Sequence, residues 1–366
     1  MLSVTTIIAE KVYEEQQKND RISKFFQKFE ISKAVKAAGF YKRKGTNPVV
    51  LLKYVFSLVF RNSNIYLETK NGSSDGKSKN TIYRFLNAKA YNWGKLLYAV
   101  AVNLISFLMP LTSEQRENVL IVDDTLYSGS RSQKYLLFDS WFAFPSVIMK
   151  ARQKGLQVVC MLKRLYRVYY TYNGKQYNLN ALYNHVPHNR SGDVIASVKV
   201  KIHNQEKEQM TVKVVFLRSN KKNDDWIALL STDLDLDDEE IIRIYAKRWN
   251  IEVLFKISKH YLKLDTELES RSFESLYAHC AIVFLRYLML AYENRIAEDN
   301  RTCGEIFFMV CKELSDITYM QALVILLNAV FAQANAEGVL NSEQISYLIR
   351  IFISSIPHFF WDFQLF

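Results

Sequence analysis

The stretch YAKRWNIEVLFKISKHYLKL, Tyr245–Leu264, decides how this sequence is read. At about 100° per residue, its Tyr245, Arg248, Glu252 and Lys259 fall at roughly 0°, 300°, 340° and 320° around one α-helix, a stripe about 60° wide. On spacing alone the stripe reads equally well as a solvated face, with Arg248 and Glu252 at i and i+4 forming a surface ion pair worth about a few tenths of a kcal/mol. The rest of the chain has to separate the two readings.

Working upstream, the acidic run DLDLDDEE (Asp233–Glu240) opens this helix with negative charge at its N-terminus, where the helix dipole favours it. Before it, WIALLSTD (Trp226–Asp233) reads as a buried strand. From Tyr166 to Phe216 the pattern alternates apolar with polar, and RVYYTYNGKQYNL folds back at Asn173-Gly174, so this part reads as an all-β insertion. Further back, YLLFDSWF (Tyr135–Phe142) ends its apolar run on Asp139, and FPSVIMKARQKGLQVVCML reads as helix, glycine stop and buried strand. The run VLIVDDT (Val119–Thr125) ends on Asp123 and Asp124. Alternation of strand and helix favours parallel strands.

Residues 1 to about 112 read as helices, with apolar residues at helical spacing through Ile22–Phe40, Val49–Phe60 and Ile82–Leu108. Two basic breaks separate them, YKRKGTNP (Tyr41–Pro48) and KNGSSDGKSKN (Lys70–Asn80), and Asn80 or Thr81 is placed to cap the helix after the second. The net charge of +11 is uneven. Residues 1–100 hold 18 Lys+Arg against 7 Asp+Glu, which is the whole surplus. A basic helical module beside a neutral body is the footprint of phosphate-backbone binding.

Other classes fit poorly. The four cysteines, Cys160, Cys280, Cys303 and Cys311, form no C-x-x-C pair, so neither a zinc finger nor a disulfide scaffold is indicated, and a reducing cytoplasm suits them. The opening residues lack the basic-then-apolar pattern of a signal peptide. The apolar runs Leu96–Leu111 and Ala322–Ala334 are shorter than the roughly 20 residues of a bilayer span and read as buried helices, so no membrane is called for. Trp249 and Phe255 read as core.

Three carboxylates, Asp123, Asp139 and Glu252, thus stand at the ends of structured segments. Hard oxygen ligands of this kind suit Mg²⁺ and the two-metal clamp of phosphoryl transfer. The spacing Y-x2-R-x3-E-x6-K at Tyr245, Arg248, Glu252 and Lys259, with VLIVDDT and YLLFDSWF upstream, resembles the bacterial insertion-sequence DDE transposases that carry the Y-R-E-K signature. The resemblance runs from about Val119 to Leu290.

The resemblance implies a ribonuclease-H-like α/β core in which Asp123, Asp139 and Glu252 are catalytic and hold Mg²⁺ or Mn²⁺, with Asp124 the rival of Asp123. It implies that Tyr245, Arg248 and Lys259 contact DNA. The expected activity is metal-dependent hydrolysis and strand transfer at insertion-sequence ends. The expected partners are double-stranded DNA, of transposon ends and target, and a second copy of the chain as a homodimer on DNA, in the cytoplasm at the nucleoid. Only 15 residues separate Asp123 from Asp139, whereas two strands and a helix lie between these positions in the family and need on the order of 30. The core therefore reads as incomplete and the chain as an internally shortened, inactive copy. The alternative is a non-enzymatic relative that occupies transposon ends. The expected layout is a helical basic DNA-binding domain (1–112), a first core segment (113–165), the all-β insertion (166–222), a second core segment with the Y-R-E-K helix (223–300) and a helical C-terminal region (301–366).

Overall fold

The computed structural model describes residues 20–70, 78–111, 119–121, 134–189, 191–219, 225–296 and 301–355. In chain order the helices are α1 (Arg21–Lys28), α2 (Ile31–Ala37), α3 (Pro48–Ser57), α4 (Ile65–Lys70), α5 (Lys79–Leu86), α6 (Trp93–Leu108), α7 (Pro145–Gln153), α8 (Leu179–His185), α9 (Asp238–Ala246), α10 (Asn250–His260), α11 (Phe273–Ile296), α12 (Cys303–Ala336) and α13 (Ser342–Ser355). The strands are β1 (Val119–Ile121), β2 (Tyr135–Phe138), β3 (Gln157–Met161), β4 (Tyr170–Tyr172), β5 (Lys175–Tyr177), β6 (Val194–His203), β7 (Gln209–Arg218) and β8 (Trp226–Ser231). The class is mixed α/β, as the alternation implied.

Where the sequence suggested five successive segments, the chain groups into two compact units. One comprises residues 1–111 with 256–366, and the other residues 112–255. The described part of the first is helical. Its core joins helices far apart in sequence: Phe25 and Phe56 lie 6.3 Å apart between ring centroids, and Tyr292 of α11 meets Phe29 edge to face at 5.0 Å. Arg286, wholly buried on α11, donates from Nε to the Phe56 carbonyl at 3.0 Å and from Nη2 to the Val55 carbonyl at 2.7 Å. The same guanidinium is paired through both terminal nitrogens with Glu267. It thereby caps the carbonyl end of α3 and neutralises a buried carboxylate in one contact.

Four readings of this unit need correcting. The apolar segment expected through Ile22–Phe40 is two helices, because Glu30 takes a left-handed conformation at φ 49° and ends the first. The cap before α5 is Ser78, whose hydroxyl accepts the Thr81 N–H at 3.2 Å, and the helix starts at Lys79. The run Leu96–Leu111 is not a buried helix: Leu96, Val100 and Leu104 are covered, while Tyr98, Val102, Ile105, Met109 and Leu111 are exposed. The run Ala322–Ala334 likewise leaves Leu323, Leu326 and Val330 exposed on α12. Composition marks a residue as apolar, but what covers it is a property of its neighbours. Trp93–Leu111 and Phe273–Ile296 are both long and apolar enough to cross a bilayer by length and composition. The second is largely buried in the unit's core around Arg286.

The second unit is one eight-stranded sheet in the order β1-β2-β3-β8-β7-β6-β4-β5, with β1, β2 and β3 parallel and the rest antiparallel. The Asn-Gly hairpin forms as its residues dictate, Asn173 and Gly174 both at positive φ between β4 and β5. The insertion is not all-β, for Asn178 caps a short helix, α8, by accepting the Ala181 N–H at 2.9 Å. Its strands extend the same sheet, since β7 pairs with β8 over six residues.

Both faces of the sheet are covered. Phe138, Val158 and Cys160 pack with Ile148 and Met149 of α7 and Leu179 and Leu182 of α8. On the other face, Tyr135, Leu137, Val159 and Leu229 pack with Ile241 and Ile244 of α9. Period-two alternation along β2 therefore assigns Asp139, next after Phe138, to the α9 side. The charged stretch is not one α-helix. A 3-10 turn, Lys247–Trp249, separates α9 from α10.

A buried acidic cluster in the first unit gives a pH dependence. Arg21 donates to Glu293 at 2.8 Å and lies 3.3 Å from Glu313, while Lys53 lies 3.7 Å from Asp20. Three carboxylates thus share two cations. Burial, joined by the neighbouring Asp20 and Glu293, pushes the Glu313 carboxyl up to about 7 despite Arg21. Between its ordinary value and about 7 the folded chain keeps a proton that the unfolded chain releases, so stability declines as pH rises through that window, by up to roughly 3 kcal/mol. Thermal melts of wild type and Glu313→Gln at pH 5 and pH 8 should converge at the lower pH and favour the variant at the higher. Equal melting temperatures at pH 8 would contradict this.

Candidate active site

The site is built where the polypeptide turns from α9 into α10. The acidic run caps α9: the Asp237 carboxylate accepts the Glu240 N–H at 2.7 Å, and Asp238, Glu239 and Glu240 occupy the first turn. Lys213 of β7 ties this end to the sheet, 2.8 Å from Asp238 and donating to the Leu236 carbonyl at 2.8 Å. Nine residues of helix then carry the chain back across the sheet, about 13 Å at 1.5 Å per residue, and deliver Tyr245 toward the end of β2 where Asp139 stands.

Tyr245, Arg248 and Glu252 come together there. Arg248 Nη2 donates to Glu252 Oε1 at 2.7 Å, and the guanidinium carbon lies 6.0 Å from the centre of the Tyr245 ring. Tyr245 is more than half buried, and burial pushes its phenol up to about 12, with Arg248 pulling the other way. Asp139 adds the smallest of the effects that raise the phenol, after that of Cys160. Burial opposes the Arg248 charge, but Glu252 and Tyr245 outweigh it and the guanidinium is held more firmly protonated than usual. Asp139 is half-buried, and one of its oxygens accepts the Trp141 N–H at 2.8 Å.

The 3-10 turn changes the stripe without scattering it. Because a 3-10 helix advances about 120° per residue, Arg248 sits directly over Tyr245 three positions earlier, while α10 restores the i, i+4 contact to Glu252. Lys259 is exposed two turns further along α10, on the Glu252 side of that helix. Trp249, expected in the core, is 64% exposed, because the tighter turn rotates it outward; Phe255 is half-buried. Asp123 and Asp124 lie outside the described residues. No group of three His, Cys, Asp or Glu side chains placed to hold a metal occurs among the described residues.

One carboxylate that sequence reasoning passed over is Asp233, buried at the end of β8 and accepting the Tyr135 hydroxyl at 2.9 Å. Tyr135 begins β2 and Asp139 follows its end, so the length of the strand, roughly 13 Å, lies between the two carboxylates. Asp233 locks strand ends and does not join the site. Its signal was the Ser-Thr-Asp that closes the β8 run.

The chain matches the transposase DDE domain over residues 6–289, most of its length, and belongs to that family. Its members are transposition enzymes that generally use divalent metals such as Mg²⁺, act on DNA and are typically cytoplasmic. No curated protein matches the chain.

In metal-free buffer, Arg248→Ala and Glu252→Ala should each lower stability by about 0.5 to 1 kcal/mol, since the pair is only partly shielded from water. The double variant should lose less than the sum, because both changes remove the same contact. Denaturant melts of the four proteins measure this coupling, and strict additivity would show that the pair contributes nothing.

Proposed function

We propose that this chain is the transposase of an insertion sequence, acting on double-stranded DNA at transposon ends and at a target by hydrolysis and strand transfer, as a homodimer on DNA. The observation that carries the reading is the Tyr245–Arg248–Glu252 turn, which follows the helix covering the Tyr135 and Leu137 face of the sheet, inside the matched region. Asp123 supplies the third carboxylate. Ile121 pairs with Leu137, two residues before Asp139. Asp124 stays its rival.

Asp139, Glu252 and Asp123 are hard oxygen donors that fit Mg²⁺ or Mn²⁺ on a ribonuclease-H-like core, and such ions, when bound, activate a water or a 3′ hydroxyl and offset charge on phosphorus. The chain's own side chains bind and orient. Tyr245, its phenol pushed up to about 12, stays protonated at neutral pH and donates a hydrogen bond to a phosphate oxygen; it is no base. Arg248 presents a planar fork to a phosphate and Lys259 a point charge. The surplus positive charge of residues 1–100 supplies the sequence-independent grip on the duplex.

The shortened connection favours a second reading. β1 pairs directly with β2, and the sheet ends at β1 among the described residues. We therefore propose a weakened or inactive copy that binds ends without joining them, a non-enzymatic occupant of transposon ends. Paired transposon-end DNA with Mg²⁺ separates the readings, giving joined product from an active enzyme and bound DNA alone from an occupant. In either case, Arg248→Ala and Lys259→Ala should weaken end binding with unchanged circular dichroism. Mn²⁺ should raise the melting temperature of wild type and not of Glu252→Gln. End affinity and metal response both indifferent to these changes would overturn the site.

A further inference from the structure

The loops that leave the parallel strands β2 and β3 carry more exposed aromatic surface than a folded unit needs. In open α/β sheets, ligands bind outside the carboxyl ends of parallel strands, and both loops lie at that end, the Asp139 end. Trp141 is 63% exposed and Tyr166 79%, with Phe144 and Tyr169 also open to solvent. Exposed cations are set among them. Lys163 Nζ stands 5.1 Å above the Trp141 ring, and Arg167 makes no ion pair among the described residues. Arg164, by contrast, is held by Asp225 at 2.6 Å and stacked 3.9 Å over Trp226, so it is structural.

Beside them, Phe144 of one loop and Arg167 and Tyr169 of the other line a shallow open cavity of about 380 Å³ together with Gln176 of β5 and His203 and Asn204 at the β6–β7 turn, and Trp141 and Lys163 stand outside it. A cavity of that size takes one flat ring system. The exposed cations attract any anion, and the aromatic faces add stacking, which a polyanion that also presents flat rings answers better than an acidic protein surface does. Duplex DNA hides its ring faces; an unpaired strand presents them.

We propose that the loops Asp139–Ser146 and Leu162–Tyr169 form a binding surface for unpaired DNA. Trp141 and Tyr169 stack on bases, while Lys163 and Arg167 hold the intervening phosphates. The surface deepens the transposase reading and rests on it: where strands separate at a transposon end during strand transfer, this surface would hold the unpaired one. Stacking contributes sequence-tolerant affinity, so the ligand class is single-stranded DNA of any sequence.

The test uses the full chain, with a short fluorescein-labelled oligothymidylate and a duplex of equal length as probes. Trp141→Ala and Tyr169→Ala should each weaken oligothymidylate binding about tenfold, with duplex affinity changed by less than about twofold. Trp141→Phe should recover most of the loss. Lys163→Gln and Arg167→Gln should each reduce the slope of log affinity against log salt by about 0.7. All four side chains are exposed, and melting temperatures within a few degrees of wild type confirm intact folding. Oligothymidylate affinity within about twofold of wild type in both alanine variants would overturn the proposal. So would a change in sedimentation of the DNA-free protein on Trp141→Ala, which would make the surface a contact between copies. Loss of oligothymidylate binding alongside indifferent duplex and metal responses at Arg248, Lys259 and Glu252 would keep this surface and remove the transposase site; the reverse pattern would do the opposite.

Discussion

The packing of α9 on the sheet, Ile241 and Ile244 against Leu137, Val159 and Leu229, is the contact on which the site depends. It fixes how far the helix travels back along the strands, and so where Tyr245 arrives relative to Asp139. Burial there also does chemical work, since it keeps the Tyr245 phenol protonated and makes Arg248 lean on Glu252. Loosening the helix would separate a carboxylate on a strand end from a carboxylate on a helix.

That dependence explains why the polar anchors of α9 sit at its far end. Asp237 caps the helix, Lys213 pairs with Asp238, and Asp233 accepts the Tyr135 hydroxyl, all at the end of α9 away from Tyr245. The other end is left with the partly exposed Arg248–Glu252 pair. An Arg–Glu pair at 2.7 Å on a half-open turn is cheap to break compared with a fully buried one such as Arg286 with Glu267. Stability and chemistry are thus assigned to opposite ends of the same helix.

Much of this was legible where local chemistry decides the outcome. Asn173-Gly174 specifies a tight hairpin because both residues tolerate positive φ, and the acidic run marks a helix start because the dipole rewards it. The spacing of Tyr245, Arg248 and Glu252 survived even a change of helix type, since three residues bring side chains into register in a 3-10 turn and four do so in an α-helix. The turn itself was not legible, because Lys-Arg-Trp carries no breaker. The same is true of Trp249, turned outward, and of Tyr98, Ile105, Leu326 and Val330, apolar by composition yet exposed. Burial is set by partners remote in sequence, and a periodic pattern records only which side could be covered.

The central claim is that Asp139 and Glu252 belong to one metal-dependent centre. Crystals grown or soaked with Mn²⁺ and measured at the manganese edge test it most directly. The account predicts an anomalous peak within about 2.5 Å of a carboxylate oxygen of both residues, with Arg248 in contact with Glu252 or displaced toward an anion. A peak bound elsewhere, with the Asp139 and Glu252 carboxylates too far apart to share a pair of ions about 4 Å across, would contradict it.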